Sequence, residues 1–462
     1  MLRLGGMSIN LDYRIDIIGS ARPRPSAPVR ARLFPIVPVT TPTKPAAAAT
    51  SDYVTAAEAV ALLGVKAQTL YTYVSRGLIR SVNQPERRQK LYYREDIDKA
   101  RAQAEVRQGR GVSAATALRW GHPVIATSVT ELTPDGPRYR GRLALDLARR
   151  GCSFEAAAEL LWAGVLHHDP LVWDCEALPA GFGKAMDGAA LQPDPLPLLR
   201  IYALATSMLG AAEGAGSEIR RGTTIPAARQ LIQTLTGCLG YLGARPRFRM
   251  PPKAASIAVT AMHLLNPAAG ADEIAALNAA LVLCADHELS SSTFAARVAA
   301  STGAELRACI LAAIGTHSGA ALGGGCDRAE DLLRNAHSRA EVRQRLAAME
   351  QAGARVPGFN LPVYPKGDPR ARYLLGIAQQ FASRSERASL ICQFIDEAEA
   401  ALQLRPSIEI GLVALCAALE LPERSAGALW ALGRSAGWVA HVMEQRLSGH
   451  LLRPRARYVV AA

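Results

Sequence analysis

"ADHELSSSTFAARVAASTGA" spans residues 285–304, and its reading decides the fold. The run leading into it, "DEIAALNAALVLC" (272–284), is apolar nearly all round, as a deeply buried helix is. "SSTFAARVAAS" (291–301) again carries apolar residues at helical spacing. Working outward, "SFEAAAELLWAG" (153–164) repeats that pattern, and Pro/Gly clusters at 192–197 and 356–369 punctuate the helices. "HPVIATSVTELTPDGPRYRG" (122–141) is the one stretch that reads as a β-ribbon. From residue 112 onward the chain predicts an almost entirely helical body. At 462 residues and 49% hydrophobic composition a large core is readily built. No apolar run reaches the length of a membrane span, and the first twenty residues lack a secretory signal. The eight cysteines show no CxxC and no Cys/His pair at metal-ligand spacing. They predict reduced thiols, no metal site and a cytoplasmic location.

The net charge of +13 is unevenly placed, with +5 in residues 1–50 and +4 in residues 51–111. Residues 1–50 hold "ARPRPSAPVRARLFPIVPVTTPTKPAAAA", which has seven prolines and no sustained period. This predicts a disordered Pro/Arg-rich tail.

Residues 51–111 form a separate small unit. Thr55 and Glu58 make a capping box for a helix ending near Leu63, Gly64 turns the chain, and a second helix covers about 67–75. Ala59, Leu62, Val65, Leu70 and Val74 bring the two onto one core. "LIRSVNQPERRQKLYYR" then reads as two β-like runs around a basic turn, and Asp96 opens a third helix. "GV…TLYTYVSRGLIR" followed by "LYYREDID" resembles the winged helix-turn-helix of the MerR and excisionase type. Double-stranded DNA is the partner this implies. Gln68, Tyr71 and Thr72 would face base edges, with Lys66, Arg76, Arg80, Arg87, Arg88 and Lys90 around them for phosphates.

Five stretches of the body occur in one order. They are "RYRG" (138–141), the 285–304 segment, "HSGAALGGGC" (317–326), "PGFNLPVYPKGDPRA" (357–371), and "PSIEI" (406–410) leading on to "ALGRSAGWVAHVMEQRLSGHLLRPRARYV" (431–459). Together they resemble the citrate synthases. The resemblance implies a mainly α, two-domain, all-helical body, with a large domain from 112–325 and 414–462 and a small domain from 326–413. It also implies a homodimer, a di- or tricarboxylate ligand, and an acyl-CoA as further ligand or substrate with no other cofactor.

Carried over by position, the holding groups are His287 of "DHE", Arg370 of "DPRA", Arg434 of "GRSAGW" and Arg453 of "RPR". In that family the last comes from the neighbouring subunit. Arginine suits the task because its planar fork takes a carboxylate bidentately and stays charged. The reacting groups are altered. Where the family has "LHGG" this chain has Leu322, and where it has "GFGH" this chain has Leu361 after Asn360. The carboxylate base falls on Glu409 of "SIE". Leucine donates no hydrogen bond. His317, more than a helical turn before Leu322, is expected to face elsewhere. His441 and His450 read as surface or packing histidines, and Lys366 as a solvated turn residue. The expectation is a catalytically impaired carboxylate-binding regulator. One alternative is an active citrate or 2-methylcitrate synthase using Glu409 as base, with Asn360 as a weak donor. Another is a subunit that pairs with an active synthase.

Overall fold

The capping box at Thr55 forms: the Glu58 N–H donates to Thr55 Oγ1 at 3.3 Å, and the Thr55 N–H donates back to the Glu58 carboxylate at 2.8 Å. The helix it starts is Ala56–Leu63; Gly64 ends it with φ +61°, and a second helix follows at Ala67–Ser75. These belong to a computed structural model that describes residues 53–97 and 125–454. Short stretches inside those spans are excepted: 76–78, 80, 85–88, 95, 170, 175–176, 192–195, 213–216, 251, 253–254, 335–337 and 353. The proline-rich tail and Arg76, Arg80, Arg87 and Arg88 therefore lie outside the described residues.

The chain divides into two compact units, Met1–Gly111 and Val112–Ala462. In the first, strands Ser81–Gln84 and Gln89–Tyr93 pair antiparallel as the expected hairpin. A third strand, Tyr53–Thr55, pairs with the other edge of Gln89–Tyr93. Three residues are too few to show a period, so the sequence gives no sign of it. Val54, Ala59, Leu63, Leu70, Ile79, Tyr92 and Ile97 form the core, with Leu62, Val65 and Val74 packed against it. Residues 94, 96 and 97 are helical, so the third helix begins close to the expected Asp96.

Among its described residues the second unit is helical apart from a short ribbon; Thr130–Thr133 and Gly136–Tyr139 lie within the stretch expected to be β, and Arg142–Leu143 follows just beyond it. Its axis is the helix Ser425–Ser448, 24 residues long. At 1.5 Å rise per residue that is about 36 Å. Every residue from Ser425 to Val442 is buried, because helices Ala271–Cys284, Ser291–Ser301 and Leu306–His317 pack around it. Gly437 lets one of them come close. A Cβ there would collide with Asp286 Oδ1 and the Ala285 carbonyl, and instead the Gly437 N–H donates to Ala285 O at 2.9 Å.

Tyr139 of "RYRG" fixes the same turn from the other side. It is fully buried; its hydroxyl lies 3.0 Å from Val282 O and accepts the Asp286 N–H at 3.2 Å. Helix Pro369–Phe381 starts with Asp368 as N-cap and proline in its first turn, a preorganised start. It packs on Ile408–Ala418. No described helix is long and apolar enough to cross a membrane.

Candidate functional site

The Ala285–Asp286 turn delivers His287, the Asp368 cap delivers Arg370, and the axial helix delivers Arg434. His287 Nε2 lies 3.3 Å from the Tyr364 hydroxyl, and the Arg370 guanidinium sits 5.8 Å from the Tyr364 ring centre. Burial, then the positive charges of Arg370 and Arg434, hold the His287 imidazole well below its ordinary pKa. It is thus neutral at physiological pH, ready to donate or accept according to its tautomer.

Both arginines are buried, Arg370 at 1% and Arg434 at 2% exposure. Arg370 Nε and Nη2 donate to the Asp368 carboxylate at 3.1 and 2.7 Å. Its Nη1 is buried and has no hydrogen-bond partner among the described residues. A buried, unmatched guanidinium nitrogen is costly unless something fills the place. Arg434 Nη1 donates to Asp286 Oδ1 at 3.1 Å; Nη2 donates to Ser290 Oγ and Thr293 Oγ1 at 2.8 and 2.6 Å. Burial disfavours the charge of Asp286, but His441 and Arg434 outweigh it, and its pKa lies below the usual carboxylate range.

Glu409 stands in the first turn of Ile408–Ala418 and accepts from the Ser407 hydroxyl. Burial raises its pKa, against the pull of Ser407, while Asp368 adds to the rise. The glycine loop meets it: a Cβ on Gly325 would stand 3.5 Å from Glu409 Cγ. Leu322 is three residues before Gly325, and its carbonyl accepts the Gly325 N–H. Leu361 lies three residues before Tyr364, whose N–H donates to the Leu361 carbonyl at 2.9 Å.

One expectation changes here and another is narrowed. His317 does not face away. Its helix ends at that residue, the chain folds back, and the Gly323 N–H donates to the His317 carbonyl at 2.8 Å. The ring is 1% exposed and meets Trp430 and Trp438 edge-on. A Cβ on Gly323 would lie 2.7 Å from its Cδ2. So part of the loop's need for glycine is to clear this imidazole. Of the surface and packing roles open to His441, it takes the buried one, with Nε2 3.1 Å from Asp286 Oδ2. Asn360, considered as a weak donor, is exposed with φ +57°, and its Oδ1 accepts the Arg405 N–H at 2.9 Å. That clamps two loops together.

Burial, then the charge of Arg434, pushes the His317 imidazole down to about 3. An unfolded histidine titrates near ~6.5. Between those values the unfolded state binds more protons, so stability falls as pH drops, by up to about 1.4 kcal/mol per unit. His317→Leu is expected to flatten the fall in melting temperature between pH 6.5 and pH 4. An equally steep fall in the variant would count against a buried neutral ring.

Arg453 and Lys366 are exposed. In the N-terminal unit Lys66, Gln68, Thr72 and Lys90 are exposed, and Tyr71 is 54% exposed. The Thr72 hydroxyl donates to Gln68 O at 2.9 Å. Two clefts, of about 560 and 440 Å³, lie elsewhere on the body, beside Arg247–Met250 and beside Arg142 and His167. Sequence reasoning missed Asp286, Tyr364 and Asp368 as partners of the site. Only Asp368 had a local signal, the Asp-Pro pair of a helix start.

The family model described as the citrate synthase C-terminal domain matches residues 117–455, and a helix-turn-helix domain model matches residues 53–104. A putative citrate synthase 2 of Mycobacterium tuberculosis is 34% identical over 191 residues, 40% of this chain and 51% of that protein. The chain thus spans about half the length of that relative. Citrate synthase 2 of Bacillus subtilis is 28% identical over 366 residues, 74% of this chain and 96% of its own length. The 2-methylcitrate synthase of Shewanella oneidensis is 25% identical, covering 72% and 91%. The fold matches that of Thermoplasma acidophilum citrate synthase, solved with carboxymethyl coenzyme A and oxaloacetate. The TM-score is 0.66 at 23% identity, over 74% of this chain and 94% of that one. Sequence and fold agree: the chain belongs to the citrate synthase family and carries an excisionase-type helix-turn-helix domain ahead of the synthase body.

Proposed function

We propose that the protein is a homodimeric regulator in which the synthase body binds a di- or tricarboxylate and the N-terminal module binds double-stranded DNA. The observation that carries this is the mismatch within one cluster. Cationic holding groups converge, with Arg370 Nη1 buried and unmatched, while leucine occupies both positions from which imidazoles would serve the reaction. A carboxylate oxygen on Arg370 Nη1 would complete its fork, and neutral His287 and Tyr364 would add hydrogen bonds. The ligand would lie where the segment 326–413 meets the rest of the body, with coenzyme A as a further candidate beside it. Arg453 would reach such a site from the partner subunit, consistent with its exposure in the single chain. On the DNA side, the exposed Lys66, Gln68, Tyr71, Thr72 and Lys90 supply cations, hydrogen-bonding groups and one planar ring; Arg76, Arg87 and Arg88 complete the basic set.

A thermal-shift titration with oxaloacetate and with citrate tests the carboxylate half. Saturating ligand at 100 times Kd is expected to stabilise the native state by about 2.7 kcal/mol. Arg370→Leu is expected to abolish the shift; an undiminished shift would remove Arg370 from the site. A labelled duplex in fluorescence anisotropy tests the other half: binding must weaken as salt rises, and Lys90→Ala must reduce that dependence.

The second reading, an active citrate or 2-methylcitrate synthase, draws on Glu409. A buried carboxyl with a raised pKa is the state a general base needs near neutrality.

A further inference from the structure

A line of polar groups, buried at its Arg434 end, runs from Arg434 to Thr127 and Ser128, near the first described residues of the body. Arg434 donates to Asp286 Oδ1, and Asp286 Oδ2 lies 3.1 Å from His441 Nε2. His441 Nδ1 is 3.2 Å from Arg297 Nη1. Guanidinium only donates, so Nδ1 accepts and the imidazole proton sits on Nε2, facing Asp286. Arg297 Nη1 also donates to Glu444 Oε2 at 2.6 Å. Glu444 then accepts from the Thr127 hydroxyl at 2.7 Å, the Ser128 N–H at 2.7 Å and the Ser128 hydroxyl at 2.8 Å. Partial burial works against its charge, yet these donors hold its pKa down to about 2. Arg434, Asp286, His441 and Arg297 are all buried.

Thr127 and Ser128 stand just before the strand Thr130–Thr133, near the start of the body's described residues. The chain upstream of them leads to the helix-turn-helix unit. Resting on the reading of the cluster as a carboxylate site, we propose that this hydrogen-bonded line is a relay that couples ligand binding at Arg434 to the anchoring of residues 127–129. The ligand carboxylate competes with Asp286 for Arg434. Asp286 then relies more on His441, which moves relative to Arg297, and Arg297 divides its donors between His441 and Glu444. The grip of Glu444 on Ser128 changes as a result. A carboxylate bound at Arg434, about 300 residues away in sequence, would thereby reset the anchoring of the segment that follows the DNA-binding module.

Because the Ser128 N–H itself donates to Glu444, its hydrogen exchange reads the relay directly. The experiment uses the full chain, with and without oxaloacetate or citrate, and follows amide exchange over residues 125–133 beside the melting temperature. Ligand is expected to change the Ser128 exchange rate about five-fold or more. Glu444→Gln should bind the ligand within about two-fold of wild type and lose that response. If Glu444→Gln does not fold, Arg297→Gln severs the link between His441 and Glu444 while keeping the Ser128 N–H as reporter, and it must give the same loss. A melting shift with unchanged exchange at 125–133, or a response that survives the cut, would overturn the relay and leave the binding site standing. No melting shift with either ligand would sink the carboxylate reading and the relay together.

Discussion

The purified protein, given acetyl-CoA or propionyl-CoA with oxaloacetate, is expected to release CoA at no more than about 10⁻² s⁻¹. Enzymes work at a median near ~10 s⁻¹. Loss of one preorganised donor at a developing oxyanion removes about 10²–10³ of that rate. On the proposed reading, leucine stands in place of two donors, at Leu322 and Leu361, and the two losses need not add. Glu409 retains an acid but reaches one methylene further than aspartate, and a misplacement of that size can cost ~10² more. Leu322→His together with Leu361→His is therefore expected to raise CoA release by at least about 10²-fold. The measurement is thiol appearance with time, against the single variants. Wild-type turnover near ~10 s⁻¹ would establish the active-synthase reading instead. The crowding of the loop by His317 bears on the outcome, because an imidazole at 322 must fit beside a ring already packed on Gly323.

Asp286→Asn is expected to lower stability by about 3–5 kcal/mol, the range for breaking a buried ion pair from one side. The substitution keeps the shape and removes the charge. Arg434, at 2% exposure, would then face only neutral partners, and His441 would lose its carboxylate. For a body of this size the melting midpoint should fall on the order of 10 °C. The sign with pH follows from the depressed Asp286 pKa. Its stabilisation is complete above the unfolded value near ~3.9 and is lost as pH falls below it. The wild type should thus lose stability below about pH 4 along a limb that the variant lacks. Calorimetry at pH 7 and across the acid range checks both; an undiminished midpoint at pH 7 would mean that Asp286 is not charged in the fold.

Local signals carried the small unit. The Thr55/Glu58 capping box, Gly64 and the two helices stand where spacing placed them, because caps and turns are set by a few adjacent backbone groups. The edge strand Tyr53–Thr55 was invisible, since its pairing partner lies some forty residues on. In the body, helical spacing misjudged His317 for a plain reason: the rule holds only while the helix continues, and this one stops at that residue. For His441 the sequence left surface and packing roles open, for the opposite reason. A helix buried on all faces has no outward stripe, so periodicity says nothing about which side its polar group meets.

The sequence alone determined the helical class, because helical spacing follows from residue identity and short-range order. It also supplied His287, Arg370, Arg434, Glu409, Leu322 and Leu361, which only the resemblance to the citrate synthases assigned to one site. Only the tertiary structure decided that Arg434 is shared with Asp286 across 148 residues, that Arg370 keeps a nitrogen unmatched, and that Glu444 holds Thr127 and Ser128. Those pairings join distant segments, and their partners are chosen by packing around a buried helix, which no local pattern encodes.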